Sequence, residues 1–248
     1  MSPVMRPKPK QCVISLVQTN QSDKDEQGGI TMNEKWTELV FILDRSGSMS
    51  GLEADTIGGY NSLLEKQKQQ PGEAVVTTVL FDDRVEILHD RLNLREMMPI
   101  TKEEYYVRGT TALLDAVGIT ISKMVEQLKG APTEDRPGHT LFVITTDGME
   151  NASREYGYKQ VRKMIEHQKS RFGWEFIFLG ANIDAVETAE RFGVGEDFAV
   201  DYVADGKGTD LNYSVLSDAV SDMRSHRKID KDWKKRIEDD YKKRGGKA

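Results

Sequence analysis

The chain has 248 residues, a formal net charge of −6 and one cysteine, Cys12. That length holds one sizeable α/β core with terminal additions and leaves no room for a second full domain. The acidic balance speaks against general nucleic-acid binding, which needs a basic surface, and one thiol excludes both an internal disulfide and a C-x-x-C pair, so the chain reads as intracellular.

From Met1 to about Asn33 the sequence is polar, Gln-rich and expected to be flexible. Arg6, Lys8 and Lys10 precede an apolar stretch from Cys12 to Val17, which is shorter than the roughly 7 to 15 residues of a secretory core. No run approaches the roughly 20 apolar residues of a membrane span. A cytoplasmic location without a membrane partner is therefore expected. From Trp36 onward strands and helices alternate, the mark of a mainly parallel sheet covered on both faces.

The apolar run Leu39 to Leu43 predicts a buried first strand ending at Asp44. Ser50 with Glu53 reads as a capping box opening a helix from Gly51 to about Gln69. A second strand is expected from about Ala74 to Phe81, and a short third from Val85 to Leu88 is close enough to it to form an antiparallel hairpin at the sheet edge. Leu113, Leu114, Val117, Ile121, Met124, Val125 and Leu128 recur at helical spacing and predict a helix from Ala112 to about Lys129.

Pro132, Pro137 and Gly138 mark a loop before a strand from His139 to Thr146. A helix from about Tyr156 to Arg171, a strand from Trp174 to Leu179, a helix capped by Asp184 and a strand from Phe198 to Val203 follow. Leu211, Val215, Leu216, Ala219, Val220 and Met223 form the stripe of a last helix. The expected architecture is a doubly wound α/β fold with a mainly parallel six-stranded sheet, one short antiparallel edge strand and helices on both faces. Residues 1–33 are expected to be a flexible segment, 34–225 the domain, and 226–248 a charged, net basic tail. Such a mixed run is usually a solvated helix or a frayed tail. A docking element for an acidic partner is the alternative, with Trp233 and Ile237 four apart as its only apolar handle.

Asp44, Arg45, Ser46, Gly47 and Ser48 place a D-x-S-x-S cluster at the end of the first strand, where open α/β sheets bind ligands. One carboxylate and two hydroxyls on a tight turn supply hard oxygen donors, which suit magnesium, manganese or calcium and not zinc. Taken singly, such residues are ordinary turn and cap residues. A later Gly109-Thr110-Thr111 stands before a helix, and a still later buried strand ends in Thr146-Asp147-Gly148.

Together these segments resemble the von Willebrand factor A (VWA) domain and its metal-ion-dependent adhesion site (MIDAS), over roughly Trp36 to Arg224. The resemblance implies that Ser46 and Ser48 bind a cation through their hydroxyls, Thr110 directly or through water, and Asp44 and Asp147 mainly through water, with Mg2+ expected and Mn2+ or Ca2+ as alternatives. Thr110, not Thr111, matches the family's threonine. Gly148, Met149, Glu150 and Asn151 continue the Asp147 turn and could add groups behind the ligands, but Glu150 and Asn151 are read as solvated loop residues. The resemblance further implies a protein partner offering an exposed Asp or Glu, in an intracellular assembly that can include an ATPase. The loops Ser50 to Glu53, Tyr106 to Thr111 and Gly148 to Ser153 would form the rest of the contact.

An enzyme reading has less to stand on. In Gly47-Ser48-Met49-Ser50-Gly51 the middle residue is Met49, so no nucleophile elbow is present. No G-x-x-x-x-G-K-S/T sequence appears. His89, His139, His167 and His226 form no pattern that identifies a general base. Metal-assisted phosphoryl transfer or hydrolysis stays open as the alternative, with Arg45 and Arg108 as the only candidate clamps. The expectation is a binding module and no catalysis.

Overall fold

The computed structural model describes residues 33–132, 135–225 and 228–245. The expected flexible segment lies outside these residues, save Asn33, which opens β1. The strands are β1 (Asn33–Asp44), β2 (Glu73–Phe81), β3 (Val85–Asn93), β4 (Pro137–Thr146), β5 (Glu175–Ala181) and β6 (Ala199–Tyr202). The helices are α1 (Glu53–Lys68), α2 (Leu113–Gly130), α3 (Tyr158–Phe172), α4 (Ala185–Arg191), α5 (Gly206–Arg224) and α6 (Lys235–Lys243).

All six strands form one sheet in the order β3-β2-β1-β4-β5-β6, parallel except for β3, which runs antiparallel to β2. Successive side chains of β1 feed opposite layers. Leu39, Phe41 and Leu43 pack with α1, α5 and α6, while Val40 and Ile42 pack with α2, α3 and α4. Burial on both faces is why this strand reads as an unbroken apolar run.

β3 continues past Leu88 to Asn93. Its faces are only partly buried, so the polar residues His89, Asp90 and Arg91 end the apolar signal while backbone pairing with β2 goes on through register shifts. Arg91, at φ 51°, marks the irregularity. Its guanidinium Nε lies 2.8 Å from the buried carboxylate of Glu38 on β1.

Burial raises the Glu38 carboxyl to about 7 despite the opposing pull of Arg91. A carboxyl with a raised folded pKa contributes stability at low pH that is lost as pH rises through that value. Metal-free Glu38→Gln should therefore lose less melting temperature than the parent between about pH 5 and pH 8. Equal losses in thermal melts would count against this assignment.

The capping box at Ser50 does not form. A short 3-10 turn occupies Gly47–Met49, and Ser50 closes it with its amide on the Gly47 carbonyl. The helix starts only at Glu53, whose carboxylate reaches back to the Gly51 amide at 2.7 Å. Asp184 does cap α4, accepting from the Glu187 amide at 2.8 Å.

The segment expected as a solvated tail instead carries α6, docked on the core. Ile237 is 2% exposed in the same cluster as Leu216 and Met223, with Trp233 packed against it. Lys234 donates to the carbonyl of Ala199 on the edge strand β6 at 2.9 Å, and the Trp233 indole donates to the Asp197 carbonyl at 2.9 Å. Ile229 is buried in the same cluster, and the polar heads around these few apolar residues are satisfied by backbone carbonyls and by the Arg244–Asp205 ion pair.

Candidate metal centre

Strands β2 and β3 extend from one side of β1, and β4, β5 and β6 from the other, so the chain order reverses between β1 and β4. A crevice opens beyond the carboxyl ends of the strands at such a point. Leu43 is registered with Thr145. Asp44 and Asp147 thus emerge side by side.

Asp44 is fully buried. One carboxylate oxygen accepts from the Ser46 amide at 2.7 Å, the other from the Thr146 hydroxyl at 2.5 Å, and its carbonyl accepts from the Tyr105 hydroxyl at 2.5 Å. Burial pushes its carboxyl up to about 6, while Thr146 and Ser46 hold it down and Asp147 adds like-charge repulsion. Asp147 is 4% exposed and is likewise raised by burial, with the Ser48 hydroxyl holding it down. Its Oδ1 is buried with no hydrogen-bond partner.

The Ser46 and Ser48 hydroxyls lie 2.9 Å apart, and the third hydroxyl at the cluster belongs to Thr111, which donates to Ser46 Oγ at 3.0 Å. Thr111 is 3% exposed, whereas Thr110 is exposed. This corrects the expectation for Thr110. Gly109 takes φ 67°, and a side chain there would strike Asp83, so the chain turns at this point and presents the next-but-one residue inward. The Gly47 amide on the Gly109 carbonyl ties this turn to the serine loop at 3.2 Å. Two adjacent threonines look alike in sequence, and only this turn tells them apart.

No family model matches the sequence, and no curated protein matches it. Among solved structures, the chain is similar to proximal thread matrix protein 1 from the mussel byssus, in a form with a zinc-occupied MIDAS motif. The TM-score is 0.53 at 12% identity, over 77% of this chain and 47% of that one. It is also similar to a von Willebrand factor type A protein from Catenulispora acidiphila, with TM-score 0.52 at 12% identity, over 78% of this chain and 44% of that one. The fold is that of the von Willebrand factor A domain. This chain spans about half the length of each of these two solved chains.

Within this VWA fold the donor set suits a hard divalent cation. Asp44, Ser46, Ser48, Thr111 and Asp147 supply oxygen alone, and the orphaned Asp147 oxygen is a buried acceptor that a cation or its water would satisfy. Among the described residues no group of three or more His, Cys, Asp or Glu side chains forms a rival metal cluster.

The surrounding loops are held by polar and charged side chains. Glu150 and Asn151 are not free in solvent. Glu150 accepts from the amides of Leu114 at 2.8 Å and Ser153 at 2.8 Å and from the Ser153 hydroxyl at 2.7 Å, while Asn151 accepts from the Thr111 amide at 2.9 Å. Asp115 in turn accepts the amides of Arg154, Glu155 and Tyr156. Glu150 thus satisfies an orphan amide at the start of α2, and Asp115 on α2 holds the chain beyond Asp147 to the helix. On the other side Arg45 is buried with Nε 3.0 Å from Asp82 and Nη2 2.6 Å from Glu86, and Arg108 meets the same Asp82 at 2.6 Å.

Proposed function

We propose that this chain is a metal-dependent protein-binding module whose partner offers an Asp or Glu to the cation. The observation that carries this reading is the convergence of three hydroxyls and two carboxylates at the switch point, all buried but the exposed Ser48, with one Asp147 oxygen left without a partner. Ser46, Ser48 and Thr111 would hold the cation through neutral oxygens, and Asp44 and Asp147 would balance it from behind. A dication so held keeps positive charge and an open coordination position, which favour a charge-assisted contact with an outside carboxylate. Mg2+ or Mn2+ is proposed as the resident ion. A cytoplasmic assembly, with an ATPase among its members, is proposed as the setting. Among the described residues no helix is long and apolar enough to cross a membrane.

Catalysis is disfavoured by what occupies the candidate clamps. Arg45 is buried and bound on two of its nitrogens, and Arg108 spends Nε on Asp82. Arg45 is thereby withheld from a phosphoryl group, and Arg108 has only its outer nitrogens left to offer.

Adding millimolar magnesium to chelator-stripped protein should raise Tm, because a ligand that binds only the folded state stabilises it by mass action. Asp44→Ala should abolish that shift. Parallel melts with manganese and zinc rank the ions, and an unchanged Tm with every metal would remove the site from the mechanism. Metal-dependent phosphoester hydrolysis that disappears in Ser46→Ala would promote the enzyme reading instead.

A further inference from the structure

Four large apolar side chains are exposed among the described residues, Leu92, Met98, Tyr106 and Met149, and two of them stand at the candidate metal centre. Met149 is 72% exposed and follows Gly148, where a Cβ would come within 2.8 Å of Ser48 Oγ and 3.0 Å of Thr111 Oγ1. Tyr106 is 43% exposed and follows Tyr105, whose hydroxyl binds the Asp44 carbonyl. Its ring lies 5.4 Å from the Arg45 guanidinium and 5.3 Å from that of Arg108, and its hydroxyl accepts from Arg108 at 3.1 Å. One flank of the centre is thus a fixed aromatic surface and the other an adaptable thioether, the side-chain types that anchor interfaces.

The charges around the same rim limit the partner further. The Asp83 and Glu86 side chains are about half exposed there, and the chain as a whole is acidic at −6. One carboxylate directed at a cation is attracted, but a further run of them finds the rim's arginines, Arg45, Arg84 and Arg108, already paired with Asp82, Asp83 and Glu86 and an acidic chain around them.

We infer that the partner segment carries a single carboxylate between apolar side chains, one seated on Met149 and one on Tyr106, and not an acidic tract. This inference rests on the proposal that a carboxylate completes the cation's shell.

The test is an array of short peptides with one central Asp and flanking Leu, Phe, Ser or Asp, probed with the magnesium-loaded full chain and again in excess chelator. Leu- and Phe-flanked peptides should bind at least about tenfold more tightly than Ser- or Asp-flanked ones. Tyr106→Ser and Met149→Ser should erase that preference while keeping the magnesium-induced Tm shift. Magnesium-dependent binding without a flank preference, or with Asp flanks preferred, overturns the inference and leaves the carboxylate reading standing. Binding indifferent to chelator and to a central Asp→Asn change, or no binding to any peptide, overturns both.

Discussion

Thr111→Ala is expected to lower magnesium affinity by at least about tenfold, the range seen when groups supporting a metal are lost. The neighbouring Thr110→Ala should leave it within about twofold, as surface changes away from a site do. The contrast follows from burial and direction, since Thr111 is 3% exposed with its hydroxyl 3.0 Å from Ser46 Oγ while Thr110 faces solvent. Removing the Thr111 hydroxyl costs about 1 kcal/mol of fold stability through the lost hydrogen bond, so both variants stay folded. Titration calorimetry or metal-induced Tm shifts of the two variants side by side decide it. Loss in Thr110→Ala with retention in Thr111→Ala would reverse the assignment.

Arg45→Met should cost about 3 kcal/mol, since removing one partner of a buried ion pair leaves an uncompensated charge. For a chain of this size that corresponds to a Tm fall of about 6–12 °C. The lower end of the usual penalty applies because Asp82 keeps its 2.6 Å contact with Arg108. Glu86→Gln should change stability by no more than about 1 kcal/mol, because the Glu86 side chain is half exposed and its pair is screened by water. Urea denaturation of the two variants in chelator checks both values free of any metal contribution. An Arg45→Met variant as stable as the parent would mean that the Arg45–Asp82–Arg108 cluster adds nothing to the fold.

Much of the architecture was legible because β1, β2, β4 and β5 are buried on both faces and are apolar over most of their length, and because α2 and α5 carry continuous stripes. The half-exposed strand β3 was read five residues short, since its outer face alternates with water and its pairing is made by backbone groups that carry no side-chain signal. Helix α6 was read as a tail because two apolar residues are too few to announce a buried face, although Ile237 reaches the core.

The sequence by itself determined the strand ends that carry Asp44 and Asp147, the serines between strand and helix, and the oxygen-only character of the donors. Those properties follow from residue type and from position along one strand or turn. Tertiary structure alone decided between Thr110 and Thr111, turned Glu150 and Asn151 from loop polar residues into clamps on the segment that opens α2, set Asp115 of α2 to hold the chain beyond Asp147, and committed Arg45 and Arg108 to Asp82. Each of these depends on what a side chain meets across tens of residues of intervening chain. Hydrogen bonds and ion pairs act within about 3 to 4 Å, a range that sequence separation does not encode.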